Sequence, residues 1–387
     1  MTERESKPYA YGERAIEDMS SRAFHTGRGR ISGVLSLTFG LLSLFAVLCF
    51  RYPRWLTTGE LREVYDVDLL RKLLSAAMTI SVVSGLVPFL RNQHRRLGAL
   101  GILATAAAYG LGGASVPTGS VKPNPYAVGL DWFVLDLLFS AALFIFIEKV
   151  FPRYVEQAIL RPEWQLDLVY FAVNHLAIGL LLLVGNHFAP LLFDWAVNAQ
   201  LQNFVRSMPL ALQVLALLLF ADLVQYWVHR AYHEVPWLWK IHAVHHSSEH
   251  MDWLAGSRTH IVEVLLDRSL VMVPLYLLGP DKAALDIYVV IASLQAVFVH
   301  ANVGLQLGGL KYLLVTPQFH HWHHSSDKPA IDTNYAVHLP LLDVIFGTYH
   351  MPEAHWPIQY GTLTRLPRTL GAQLRYPFAG DRPAAED

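Results

Sequence analysis

The chain has 387 residues, of which 53% are hydrophobic and only 16% charged, at a mean hydropathy of +0.32; an ordinary soluble domain is about 25% charged, so this balance points to a membrane protein. A net charge of -1, a pI near 7.0 and the lack of a basic stripe interleaved with aromatics exclude nucleic acid as a partner. The single cysteine, Cys49, excludes an intramolecular disulfide, a thiolate zinc site and an iron–sulfur cluster built by this chain, so any metal must be held by nitrogen and oxygen.

Residues 1–30 are polar, carry Arg22, Arg28 and Arg30 just ahead of the first apolar run, and read as a cytoplasmic tail. They lack the pattern of a cleavable signal peptide, so the first span is expected to act as its own anchor. Apolar runs long enough to cross about 30 Å of hydrocarbon lie near 31–50, 73–90, 98–116, 127–148, 168–186 and 209–228. Two shorter runs, 264–279 and 283–299, are joined by Gly279-Pro280-Asp281-Lys282. That breaker chemistry predicts a helical hairpin that dips into or just crosses the bilayer. The small-residue stretch Ala104–Ala114 follows no strand and predicts close helix packing rather than a phosphate loop. Asp131, Asp136 and His175 are ionisable groups inside predicted spans, where they either serve function or pair across helices.

Lysines and arginines of the short loops set the orientation. Arg91, Arg95 and Arg96, then Lys149, Arg153 and Arg161, fall on the cytoplasmic side, whereas Lys122 and Arg206 stand alone in the opposite loops. Segment 51–72, with Arg51, Arg54, Arg62, Arg71 and Lys72, breaks the rule. The same counting brings the chain out into the cytoplasm at His229 and again at His300.

Fifteen of the 19 histidines fall between residues 229 and 355. His229 and His233 sit four apart on one helix face, and Asp222 and Tyr226 extend the stripe inward, where a carboxylate would orient a ligand imidazole. His242, His245 and His246 follow at spacings of three and four, and His320, His323 and His324 repeat that pattern with His321 on the opposite side. Eight imidazoles exceed the three or four ligands of one zinc, and Arg230 stands where a His-Glu-x-x-His hydrolase needs glutamate. A dinuclear iron site at the membrane surface fits this donor set. The predicted fold class is all-α: a polytopic membrane helical bundle with a cytoplasmic, histidine-rich helical cap.

The sequence resembles the fatty acid hydroxylase superfamily, in its sterol-desaturase-like branch. The likeness lies in Asp222–His233, Lys240–Ser247, Gly256–Glu263, Phe298–Asn302 and Thr316–Ser325, with Asp332–Tyr335 and Phe346–Tyr349 behind them. It covers roughly residues 165–350, which implies a catalytic domain over 161–352, an N-terminal transmembrane extension over 31–160 and a cytoplasmic tail over 353–387. The resemblance implies a non-haem di-iron oxygenase that uses O2 and two electrons to hydroxylate or desaturate a lipid-like substrate. It carries the eight motif histidines over as ligands, adds His300, and leaves His260 either a ligand or a residue beside the site. Asn302, Asp222, Asp332 and Asn334 are similar to supporting positions. His250, His321, His338, His350 and His355 match no ligand position and read as surface or loop residues. No Rossmann fingerprint or haem domain is recognisable, so electrons are expected from a separate ferredoxin- or cytochrome-type donor. Lys240 and Arg230 are suited either to docking that donor or to anchoring. Substrate is expected to enter between the hairpin and the sixth span. A zinc-dependent membrane hydrolase and a non-enzymatic metal- or haem-handling protein are the rival readings.

Overall fold

The structure, a computed structural model, describes residues 30–90, 95–120, 129–305, 307–352 and 355–379. The expectations for residues 1–29, Arg91, Lys122 and the segment beyond 379 lie outside the described residues. Within them every regular element is helical, apart from isolated bridges between Pro152 and Val303 and between Ser325 and Tyr360. The principal helices are α1 (Arg30–Arg51), α2 (Val67–Leu90), α3 (Arg95–Gly110), α4 (Leu130–Val150), α5 (Trp164–Phe193), α6 (Leu210–Glu234), α7 (Pro236–His246), α8 (Ile261–Leu278), α9 (Lys282–Phe298) and α10 (Pro317–His323). Each predicted apolar run is one of these helices. In lipid a helix satisfies every backbone donor and acceptor within the segment itself. Among the described residues five helices are long and apolar enough to cross a membrane, and only 11–33% of their apolar windows is buried in the protein. Their outward faces are therefore surfaces for lipid.

Helix ends follow local chemistry. Pro236 at the first position of α7 breaks the line of α6 and redirects the chain. Gly279 closes α8 in the left-handed conformation at φ 55°, with its N–H donating to Leu275 O. Thr316 Oγ1 accepts from Phe319 N to start α10.

Two compact units are present, residues 1–135 and 136–387. In the first, α1 packs against α2 and α3 around Val47, Leu74, Ala108 and Val116. In the small-residue stretch Thr105 and Ala108 are buried against the neighbouring helices, and just ahead of it a Cβ at Gly101 would overlap Ser36. Ser81 donates to Ser36 O and Thr105 to Ser81, both at 2.7 Å, so the buried hydroxyls satisfy one another. Arg62 and Arg71 in the anomalous 51–72 segment donate to the carbonyls of Pro53 and Val116, each at 2.8 Å, so helix-end bonding engages both. Asp131 accepts from Thr58 N and from the Tyr65 hydroxyl, which gives it a structural partner set.

In the second unit, α6 packs against α8 and α9 through Val214, Leu217, Val271, Leu275 and Tyr288. The cap rests on a buried ionic core. Arg161 bridges Asp167 and Asp252 at 2.6 and 2.7 Å, and Arg258 bridges Asp167 and Glu163 at 2.5 and 2.9 Å. Pairing of this kind is what makes buried charge tolerable. It ties the start of α5 to the loop ahead of α8.

Candidate metal centre

Nine histidines converge in two groups whose nitrogens lie within 4.8 Å of one another: His229, His233, His242, His246 and His323 in the first, and His245, His300, His320 and His324 in the second. The grouping cuts across the three motifs. Each four-residue pair, 229/233, 242/246 and 320/324, stays together, whereas His245 and His323 cross to the other group. At about 100° per residue, steps of three and four residues diverge by that angle. A helix lying between two centres therefore serves both. His246 and His324 stack at 4.4 Å where the groups adjoin.

Six of the nine imidazoles are oriented by what lies behind them, whereas the buried Nδ1 atoms of His320 and His324 have no hydrogen-bond partner. His229 Nδ1 donates to Tyr335 O at 2.8 Å, His323 to Thr333 O at 2.8 Å, His245 to Arg258 O at 3.1 Å and His300 to Ala296 O at 2.7 Å. His242 Nδ1 donates to the buried Glu263 carboxylate at 2.7 Å, and His233 Nδ1 faces Asp332 at 3.2 Å. A carbonyl can only accept, so the proton sits on Nδ1 and the Nε2 lone pair faces inward. His245 and His300, both on carbonyls, then point two lone pairs at each other across 3.2 Å, and His229 and His242 do so across 3.0 Å when the Glu263 carboxyl is ionised. Without a cation this is repulsion. Two nitrogens about 2.1 Å from one ion and at right angles lie about 3 Å apart, so the spacing is that of neighbouring ligands. The buried Nε2 atoms of His233 and His323 have no hydrogen-bond partner. The residues present fit a metal in each group.

The supporting residues differ from expectation. Asp222 orients no imidazole. Its carboxylate accepts from Val337, His338 and Leu339 N at 2.8, 3.0 and 2.6 Å. Asp343 accepts from Tyr335 and Ala336 N at 2.7 and 2.8 Å. Together they hold the 332–339 loop, which supplies the partners of His229, His233 and His323. Tyr226 bonds to Thr348 Oγ1 at 2.8 Å. Asp332 and Asn334 take left-handed φ of 59° and 60°, which these residue types tolerate, and Asn334 pins the loop to Phe319 O and His350. Asn302 exchanges bonds with the Tyr154 backbone and fixes the turn after His300.

His260 joins neither group, because both its ring nitrogens are engaged elsewhere. Nδ1 caps α8 by accepting from Val262 N, and Nε2 bonds to Leu374 O at 3.1 Å. His321 and His338, expected at the surface, are 0% and 2% exposed. His321 bonds to Tyr360 and His300 O, and His338 to Gln295. Glu263 and Asp343 had no role assigned from sequence. The available signal for Glu263 was a carboxylate at the mouth of an apolar hairpin, three residues beyond His260.

Gly256 packs directly against a ligand ring. A Cβ there would lie 2.6 Å from His300 Nδ1, and that ring is held by its bond to Ala296. Gly256→Ala is expected to displace His300, to strip metal from the four-histidine group and to lower activity about 10- to 100-fold, the usual scale for disturbing a ligand's support. Elemental analysis checks this: the variant should keep the metal of the five-histidine group alone.

Burial, reinforced by neighbouring imidazoles, holds His242, His245, His246, His320, His323 and His324 well below the usual imidazole range. Burial brings His300 down from 6.5 to about 4. A depressed folded value means the unfolded chain takes up protons first, so this stability is complete above pH 6.5 and declines as the pH falls towards 4. Metal-free protein should therefore melt at progressively lower temperature across that window in a thermal titration. A flat profile would contradict neutral, buried imidazoles.

The fatty acid hydroxylase family model matches residues 214–348, which contain all nine histidines. An ornithine lipid hydroxylase of Rhizobium tropici is 28% identical over 256 residues, covering 65% of this chain and 76% of that protein. The alkylglycerol monooxygenase of Homo sapiens is 34% identical over 128 residues, 33% of this chain and 28% of that protein. A very-long-chain aldehyde decarbonylase of Oryza sativa subsp. indica is 30% identical over 139 residues, 35% of this chain and 52% of that protein. The chain thus spans three quarters of the first relative and about half or less of the other two. No solved structure matches. The histidine-bearing region, residues 214–348, is a fatty acid hydroxylase domain.

Proposed function

We propose that the chain is an integral-membrane, O2-dependent di-iron oxygenase that hydroxylates or desaturates a lipid-like substrate. The observation that carries this reading is the pair of histidine groups with inward-facing Nε2 lone pairs about 3 Å apart. Five imidazoles in one group exceed the four ligands of a tetrahedral zinc site, and imidazole also suits iron. Iron bound there supplies O2 activation and oxidation of an unactivated C–H bond, with two electrons from a separate ferredoxin- or cytochrome-type donor. The protein's own residues orient six of the nine imidazoles, bury the centre from water and hold it at the cap end of α6 and of the α8–α9 hairpin, which we place on the cytoplasmic face. The relatives whose names specify an ornithine lipid and an alkylglycerol favour a lipid with a polar head as substrate.

The test is turnover of a membrane lipid extract by purified, iron-loaded protein with a reducing system, using isotopically labelled O2. One labelled oxygen atom in a hydroxylated product, or O2-dependent loss of two hydrogens, is expected. Undiminished product formation under strict anoxia would sink the reading, and zinc with O2-independent turnover would replace it with a hydrolase.

A further inference from the structure

We propose that a polar cleft beside the four-histidine group binds the oxyanion of a lipid headgroup, a carboxylate or phosphate, and so sets the substrate's polar end next to the metal centre. This rests on the oxygenase reading above. The cleft lies between Glu163 at the start of α5, Arg258 ahead of α8, and the C-terminal stretch bearing Tyr360, Arg365, Arg368 and Gln373. Its free space is about 50 Å³, room for three to five waters at about 10–15 Å³ each, or for one carboxylate or phosphate.

The charge arrangement selects an anion. Arg258 is only 1% exposed; its Nε and Nη1 are spent on Asp167 and Glu163, but its Nη2 is buried without a partner. A buried guanidinium nitrogen left unsatisfied is costly, and an incoming oxyanion relieves it. The Glu163 carboxylate is already shared, by Arg258 on one oxygen and by Arg368 at 3.5 Å on the other. Arg365 makes no ion pair among the described residues. The lining carries three arginines and two glutamates, Glu163 and Glu249, and Asp167 behind it is bonded to Arg258, so the attraction for an anion rests on the unpartnered Arg258 Nη2 and on Arg365 rather than on excess charge.

Position and depth select a lipid. The carbonyl of Arg258 accepts from Nδ1 of His245, so the residue that floors the cleft also orients a metal ligand. The cleft opens where α5 and α8 begin, at the cap end of two apolar helices. The C-terminal segment that closes it also exposes Leu363 at 81% and Phe378 at 62%. Apolar side chains alternating with arginines suit the boundary between headgroups and acyl chains. The segment is held there by Tyr170 bonding to Gln373 at 2.9 Å and His260 to Leu374 O. This gives His260 a function on the substrate side without ligation.

The experiment compares N-decanoylglycine with its methyl ester, two probes that differ in the oxyanion alone, binding to iron-loaded full-length protein in non-ionic detergent by calorimetry. The acid is expected to bind at least about tenfold more tightly, the scale of one charge-assisted contact. The exposed-rim double variant Arg365→Gln/Arg368→Gln should lose that preference while retaining its iron. Equal binding of acid and ester, or a double variant that keeps the preference, would overturn the proposal. So would inorganic phosphate binding as tightly as the acyl acid, which would make the cleft a free-anion site. The two readings fail separately: O2-dependent turnover without acid preference removes the cleft alone, whereas acid preference in a protein whose turnover ignores O2 removes the oxygenase.

Discussion

His323→Ala and His245→Ala are each expected to release the metal of one group, His323→Ala from the five-histidine group and His245→Ala from the four-histidine group. The four-histidine group falls to three nitrogens and should empty more completely. Both variants should lose activity by more than about 100-fold, beyond the 10- to 100-fold typical when a residue behind a ligand is removed. His321→Ala is the control, because His321 is equally buried but belongs to neither group: its ring bonds to the Tyr360 hydroxyl and to the backbone carbonyl, not the imidazole, of His300. Iron content by elemental analysis, read beside O2 consumption, separates the cases. Full iron retention in His323→Ala would remove that residue from the ligand set, and iron loss in His321→Ala equal to the others would show that burial alone, not ligation, is being measured.

The sequence carried the histidines in full and their division not at all. Spacing of three or four residues places imidazoles on one helix face, and that periodicity made all eight motif histidines legible as one set. The assignment of His245 and His323 to opposite groups depends on how α7 and α10 lie between two centres, a tertiary fact with no local signal. Asp222 shows the same limit. Its place on the stripe above His229 was legible, but a carboxylate one or two turns deeper can serve either an imidazole or a neighbouring loop, and the loop approaches from more than a hundred residues away. The carbonyls of Tyr335, Thr333, Arg258 and Ala296 leave no mark in side-chain chemistry, because any residue type supplies one. His260 was ambiguous for a different reason: a histidine can cap a helix with one nitrogen and bond to a distant backbone with the other, and only the packed C-terminal segment reveals the second bond.

That loop carries the second large effect. Asp222→Ala leaves the N–H groups of Val337, His338 and Leu339 without their acceptor. At about 1–3 kcal/mol for each buried unsatisfied donor, the cost is about 3 kcal/mol or more, a substantial part of the 5–15 kcal/mol that holds a typical domain together. The damage should be directional as well as large. The loop supplies Tyr335 O to His229, Thr333 O to His323 and Asp332 to His233, all in the five-histidine group. His245 and His300 lean instead on Arg258 and Ala296. Asp222→Ala is therefore expected to lower the melting temperature and to lose iron from the five-histidine group first, with the four-histidine group still loaded. Asp343→Ala, which frees Tyr335 and Ala336 N in the same loop, should produce the same selective loss. Because both carboxylates hold one element, the double variant should cost less than the sum of the two. Equal loss of iron from both groups in Asp222→Ala, or strict additivity in the double variant, would mean that the loop does not act as the support of one centre.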